Sequence, residues 1–312
     1  MNGSASLKPS PTGLVDLTGI HSRNSAKRLN ALLAKYSWLC RLKPRFIADW
    51  LGRLLDLNAC RSLVTLPDGT RLFLDPFTNL GMQLFHDGAY EPDTLSVLRS
   101  VIKRGDIVVD VGANEGYFSV VAGLLVGETG HVISVEPQAR LCDIIEINLR
   151  MNNITWASIV PNAVGGRTGE RHALHLYSRS NTGMSTMVRK YHSSIRSEVV
   201  EFVAFDDLLR AGSISHVDFV KIDVEGFELE VVTDLLPLIA AGRVRSLYVD
   251  YHAPLLAERG IDPLDINSAL LKSGMQIQRR GSDGLSGYVL YQSAHTSAKR
   301  PRDCHGEIRS GL

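Results

Sequence analysis

Cysteine is scarce in the 312 residues: Cys40, Cys60, Cys142 and Cys304 are the full set. None stands at CxxC spacing, so the sequence supports neither a zinc ribbon nor a redox dithiol. A reducing compartment is the corresponding expectation. No stretch approaches the ~18 apolar residues of a membrane-spanning helix. The opening MNGSASLKPSPTG lacks the apolar core of a secretory leader, and the expected location is the cytoplasm. Net charge is nearly absent at +1, which removes the global signature of a nucleic-acid binder. Metal-ligand spacing of the HxxxH type is missing too, and no metal is expected.

What charge there is lies unevenly. Residues 1–62 carry ten Lys/Arg against three acids, a local +7 that leaves −6 for the remainder. Four segments follow from composition and periodicity. Residues 1–25, rich in Ser, Gly, Pro and Thr, are expected to be disordered. Residues 26–75 form a basic extension. It comprises two apolar-striped helices bearing Trp38 and Trp50, then a β-hairpin, SLVTLPDGTRLFLD, turning at Asp68-Gly69. Residues 76–292 form the main domain, and 293–312 a loose polar tail.

In the main domain strands and helices alternate. Strands are expected at 107–111, 131–135, near 156–161, 172–177, 198–204, within 216–226 and at 244–252. Helices are expected at 92–103, from 117, at 138–151, after 226 and at 263–273, with a closing hairpin over 275–290. The helix after 226 is expected to bury Leu229, Val232, Leu236 and Ile239 on one stripe. The pattern predicts an α/β fold, a mostly parallel sheet with helices on both faces.

Such sheets bind ligands outside the carboxyl ends of their strands. Four ends carry distinctive residues: Asp110 with the turn Gly112-Ala113-Asn114-Glu115-Gly116, Glu136-Pro137, Asn162-Ala163, and Asp223 with Glu225. Glycines allow close backbone approach and positive φ, and the following helix offers free N–H groups. An ionised Glu136 can accept hydrogen bonds from both hydroxyls of a ribose. The turn has neither the GxGxxG spacing of a dinucleotide site nor the Lys-Ser/Thr of a P-loop. A nucleoside ligand without phosphates fits better, and S-adenosylmethionine is the candidate.

The stretches GDIVVDVGANEGYFS, GHVISVEPQARLCDIIEINLRMNN, NAVGGRTGE, VEFVAFDDLL and VDFVKIDVEGFELEVV resemble the FkbM family of S-adenosylmethionine-dependent methyltransferases over roughly residues 88–252. The resemblance implies a class I methyltransferase (Rossmann-like) fold of seven strands, the last antiparallel. It implies methyl transfer to a hydroxyl of a sugar, polyketide or other small metabolite. It places Asp110, Gly112, Ala113, Asn114, Gly116 and Tyr117 around the methionine end of the cofactor, Glu136 and Pro137 at the ribose, and Asn162 and Ala163 near the adenine. Glu91, in YEP, would close the pocket, and Asp223 would sit where the methyl group is transferred.

Each residue also has a plainer use. Asp110 can simply order the turn. Asp223 and Glu225 can cap the next helix. Lys221 shares a strand face with Asp223, where an ion pair and a substrate contact are both open. His252 ends the fifth strand and is a candidate base, matched to neutral pH by its ordinary pKa. The loop SNTGMSTMV (180–188) can touch the acceptor or be a passive insertion. The Trp stripes suit packing on the body or a homodimer surface better than peripheral membrane contact. The expected partner is a small hydroxyl acceptor such as a glycan, with no nucleic acid. A methyltransferase acting on nucleic-acid nitrogen would show Asn/Asp-Pro-Pro-Tyr/Phe where this chain has Asp223-Val224-Glu225-Gly226. The other alternative is a non-catalytic cofactor-binding scaffold.

Overall fold

Consecutive β-branched and aliphatic residues can occupy a strand only where both faces of the sheet are covered. Ile107–Val111 (β3), His131–Val135 (β4) and Val217–Ile222 (β9) are such runs, and almost every residue in them is buried. The computed structural model describes residues 61–75, 78–177, 182–189, 196–281 and 287–294. All of them fall in one compact unit, Leu51–Leu312. The segment 1–25, the two Trp-bearing helices and nearly all of the tail lie outside the described residues.

Before β3 come the hairpin Ser62–Thr65 (β1) and Arg71–Leu74 (β2), then the helices Asn79–Asp87 (α1) and Pro92–Val101 (α2). After β3 the chain alternates through Tyr117–Val126 (α3), β4, Ala139–Met151 (α4), Ala157–Val160 (β5) and Ala163–Val164 (β6). It continues with Arg171–Leu176 (β7), Arg196–Val203 (β8), Phe205–Ala211 (α5), β9, Glu228–Ala240 (α6) and Val244–Asp250 (β10). Ala253–Glu258 (α7), Pro263–Lys272 (α8), Met275–Arg280 (β11) and Tyr288–Ser293 (β12) complete it. The seven-stranded sheet has the order β11-β12-β10-β9-β3-β4-β5. β5, β4, β3, β9 and β10 pair in parallel, and β12 runs antiparallel to β10 and β11. This is the expected class I methyltransferase sheet, with its last strand reversed.

Alternate residues feed two cores. Val108, Val132, Phe219 and Tyr248 face one, with α2, α3 and α4. Val109, Ile133, Val220 and Val249 face the other, with α5, α6 and α8. The β1–β2 hairpin turns at Gly69 as its Asp-Gly predicts. Its Leu66, Leu72 and Leu74 are buried in the same core as Val108 and Val132.

Two expectations shift. The strands at Arg171–Leu176 and Arg196–Val203 leave the main sheet and form a small sheet with β6, in the order β6-β8-β7. On α6 the buried residues are Val231, Val232, Leu235, Leu238 and Ile239, whereas Leu229 and Leu236 are only partly buried. The stripe is turned toward 231, 235 and 238, because α6 packs between the sheet and both α5 and α8 and so buries a wider arc than one row of i, i+4 positions. Among the described residues no helix is long and apolar enough to cross a membrane.

Candidate functional site

In register across four neighbouring strands stand Ser134, Asp110, Lys221 and Tyr248, one polar layer just below the carboxyl ends. Lys221 is 2% exposed. Burial alone would favour its neutral form, but Asp223, Asp110 and Glu91 outweigh that and hold it as a cation. Its Nζ donates to Asp223 Oδ2 at 3.0 Å, lies 3.7 Å from Asp110 Oδ1, and sits 5.0 Å from the centre of the Phe118 ring. Asp110 Oδ2 accepts from Ser119 Oγ at 2.7 Å, and Ser119 Oγ accepts in turn from Ser134 Oγ. Asp110 and Lys221 are therefore a buried foundation beneath the site and do not line it.

Above this layer opens a cavity of about 270 Å³. It is lined by Glu91, Gly112, Asn114, Glu136, Pro137, Asn162, Ala163, Asp223, Glu225 and His252, so all four strand ends converge there. Ala113, Gly116 and Tyr117 stand behind the wall. Tyr117 packs its ring at 6.1 Å from Tyr90, which does line the cavity.

The glycine turn is tighter than a ligand alone requires. Gly112 has φ +82°, and a Cβ there would lie 1.9 Å from the main-chain oxygen of Asp223. Gly116, at φ +81°, would press its Cβ against Ile145 of α4. Packing thus dictates both glycines, and close backbone approach here is first of all approach to β9 and α4. Between them Asn114 takes φ +51°, unusual for a residue with a side chain.

That conformation aims the Asn114 N–H at Glu136 Oε2, 3.0 Å away, while Gln138 N–H donates to Oε1 at 3.0 Å. Glu136 lines the cavity, and the Gln138 side chain is hydrogen-bonded to it as well. Burial pushes its pKa up to about 7 against the pull of these hydrogen bonds. An ionised carboxylate at the cavity wall is a group that can accept from the two adjacent hydroxyls of a ribose. Asn162 is fixed by donating to the Glu201 carbonyl at 3.2 Å. Glu91, at φ +44°, accepts from Thr94 Oγ1 at 3.0 Å, and burial and the charge of Asp223 raise its pKa.

At the opposite wall His252 Nδ1–H donates to the buried Glu228 Oε1 at 2.7 Å. Its Nε2 faces Glu225 Oε1 at 3.5 Å and Asp223 Oδ1 at 3.7 Å. Burial would lower the imidazole pKa, but the Glu228 hydrogen bond and the charges of Glu225 and Asp223 push it up to about 10. A pKa raised in this way favours the protonated ring, which weighs against His252 as a base at neutral pH. Burial opposes ionisation of Asp223, yet Lys221 and His252 hold its pKa below the usual carboxylate value. Burial raises Glu225 to about 8 and Asp250 to about 6. Ligand atoms of Asp223, Glu225 and His252 lie within 4.8 Å of one another, close enough to hold a metal ion. The protonated ring faces the ionised Asp223 and the Glu225 carboxyl.

The small-residue loop is part of the wall. Gly183, Met184, Ser185 and Met187 line the cavity, and Thr186 anchors them by donating to the Glu225 carbonyl at 2.5 Å. Sequence reasoning missed Tyr90, Gln138, Asp250 and Phe227, which also line it. Asp250 was within reach of the strand-end argument, being the last residue of β10.

The family model of the methyltransferase FkbM domain matches residues 110–277. The hexuronic acid methyltransferase AglP of Haloferax volcanii is 22% identical over 188 residues, covering 60% of this chain and 71% of that protein. The ribosomal protein L11 methyltransferase of Bacillus velezensis is 28% identical over 82 residues, and this chain spans only 26% of its length. Among solved structures, an S-adenosylmethionine-dependent O-methyltransferase of Thermotoga maritima has a TM-score of 0.40 at 11% identity, covering 75% of this chain and 77% of that one. Aeropyrum pernix fibrillarin with natively bound S-adenosylmethionine has a TM-score of 0.38 at 11% identity, covering 64% and 73%.

Proposed function

The chain belongs to the FkbM methyltransferase family, and from that premise we propose that it transfers a methyl group from S-adenosylmethionine to a hydroxyl of a sugar or another small polyhydroxylated metabolite. The observation that carries the reading is the pairing, in one cavity, of a ribose-type carboxylate at Glu136 with an ionised carboxylate at Asp223 on the far wall. The hexuronic acid methyltransferase among the relatives supports a sugar as the acceptor class.

The residues present fit the cofactor. Glu136 would hold the ribose, Asn162 and Ala163 would flank the adenine, and Glu91 and Asn114 would meet the methionine end. When bound, S-adenosylmethionine supplies an electrophilic methyl group on a cationic sulfur. The chain's own work is to hold the acceptor oxygen in line, which in well-oriented systems lowers a barrier by up to ~7–11 kcal/mol, and to receive the hydroxyl proton. Asp223 is the group in the right state to receive it. Lys221 keeps it ionised and fixes one oxygen, leaving Oδ1 toward His252 and the cavity. His252, as a cation, orients Asp223 and Glu225 and gives the acceptor a donor. Met184, Met187 and Phe227 supply an apolar wall for the face of a ring.

The test is methyl transfer from labelled S-adenosylmethionine to a panel of neutral glycosides, uronates, polyketide alcohols and amines. Products carrying the label on oxygen are expected. Label found on nitrogen alone, or cofactor binding without turnover on any hydroxyl, would overturn the reading.

A further inference from the structure

We infer that Arg61, in the segment before the matched domain, is a positioning residue for the cofactor turn, acting through Glu115. This rests on the reading of Glu136, which the Asn114 N–H holds, as the ribose carboxylate. The family match begins at residue 110, so nothing in it assigns a role to Arg61 or to the hairpin it introduces.

Glu115 is the fourth residue of the turn, and its side chain is fully buried. Arg61 grips it with a two-pronged pair, Nη1 to Oε2 at 3.1 Å and Nη2 to Oε1 at 3.0 Å. The fork fixes the direction as well as the charge of the carboxylate. Arg61 Nη1 also donates to the Phe73 carbonyl at 3.3 Å, tying the grip to β2. The main chain of Glu115 is held separately. Asn148 of α4 donates to the Glu115 carbonyl at 2.7 Å and accepts from Phe73 N–H at 2.6 Å. Hairpin, turn and α4 are therefore tied together at one residue.

The neighbour of that residue is Asn114, whose positive φ persists only if its surroundings impose it. Its N–H is one of the two amides on Glu136. Without Arg61 the buried Glu115 carboxylate loses its two hydrogen bonds and keeps only the charge of Arg140 near it, so it must turn toward water or take up a proton. Either response loosens the turn at Asn114 and draws its amide away from Glu136. The consequence falls on cofactor affinity, not on the acceptor wall, which is built from other strand ends.

The experiment is calorimetry of S-adenosylhomocysteine with the full chain, well below the melting temperature, for the parent, Arg61→Ala, Arg61→Lys and Glu136→Ala. Arg61→Ala is expected to weaken binding about tenfold or more. Arg61→Lys, which keeps the charge and loses the fork, is expected to weaken it about threefold with a melting temperature near the parent's. A purely structural pair would lower the melting temperature of Arg61→Ala and leave the dissociation constant alone, and that result overturns the proposal. If Arg61→Ala does not fold, Arg61→Lys decides, and unchanged affinity there overturns it. Glu136→Ala separates the two readings. Loss of binding in Glu136→Ala with none in the Arg61 variants defeats the positioning role alone, whereas no loss in any variant defeats the ribose carboxylate as well.

Discussion

Lys221 Nζ lies 3.0 Å from Asp223 Oδ2 at 2% exposure, with Asp110 as its second carboxylate. A buried cation between two acids has one consequence when it is removed. Lys221→Met takes from Asp110 and Asp223 the buried cation they share, and breaking a buried pair in this way costs about 3–5 kcal/mol. A fall in Tm on the order of 10 °C is expected in thermal melts of the chain without ligand. A variant melting within a degree or two of the parent would show that the pair contributes nothing net.

Asp223→Asn keeps the shape of the same residue and removes its charge. A positioned base commonly contributes about 10²–10⁴-fold to a rate. Turnover is therefore expected to fall at least a hundredfold while S-adenosylhomocysteine affinity stays within a few fold. Calorimetry alongside the methyl-transfer assay distinguishes this from a cofactor contact. Loss of binding in the variant would move Asp223 into the cofactor site.

Glu136 makes cofactor binding pH-dependent in a definite direction. Its folded, ligand-free pKa is about 7, and the ionised form is the one that accepts from two hydroxyls. Below pH 7 binding must release a proton, so affinity is expected to fall toward about tenfold per pH unit and to level off above. Isothermal titrations with S-adenosylhomocysteine between pH 5.5 and 8.5 read the slope. Glu136→Gln should bind more weakly and show no slope. A parent with flat affinity across that range would place the titrating group elsewhere.

Gly112 separates what the sequence shows from what only the fold shows. Its place after an apolar strand marks a turn at a strand end, and the same rule found Glu136, Asn162 and Asp223. That the atom facing Gly112 is the Asp223 carbonyl, 111 residues later in the chain, follows only from the pairing of β3 with β9. Lys221 gave a similar half-answer. Its burial on a central strand was legible from the run VDFVKI, but its partnership with Asp110 depends on register between strands. His252, read as the end of the fifth strand, lies two residues beyond β10 and caps the next helix, and the acids that raise its pKa, Glu228, Glu225 and Asp223, reach it from the turn and helix that follow β9. β7 and β8 were legible as strands, yet nothing in their alternation tells a separate small sheet from the main one.

Gly112→Ala is accordingly expected to disrupt the fold and not only the ligand site. Its Cβ would meet a main-chain oxygen, which cannot move without parting β3 from β9. Gly69→Ala is the control. It has a comparable φ of +86° with open space around it, so its cost is that of the backbone conformation alone, about 1 kcal/mol. Urea unfolding of both variants is the measurement. Equal stabilities for the two would mean that the close approach at Gly112 is relieved at little cost.

His252 supplies the last test, since its charge governs stability as well as chemistry. Its folded pKa of about 10 exceeds the ordinary value of 6.5. A group raised in this way stabilises the folded chain fully below its unfolded pKa, and the contribution fades as pH rises through the folded one. Glu225, raised to about 8, works in the same sense, because the folded state holds its proton more tightly than the unfolded chain does. Thermal melts of the parent and His252→Gln between pH 6 and 10 isolate the imidazole. The parent's advantage should be largest near pH 6, shrink steadily above pH 6.5 and be nearly gone by pH 10. The same protonation forbids His252 to act as the base, so the turnover of the parent should show no acidic limb near pH 6.5 of the kind a neutral imidazole would produce. A stability difference that grows with pH, or such a limb abolished by His252→Gln, would show that the ring is neutral and return the proton-accepting role to it.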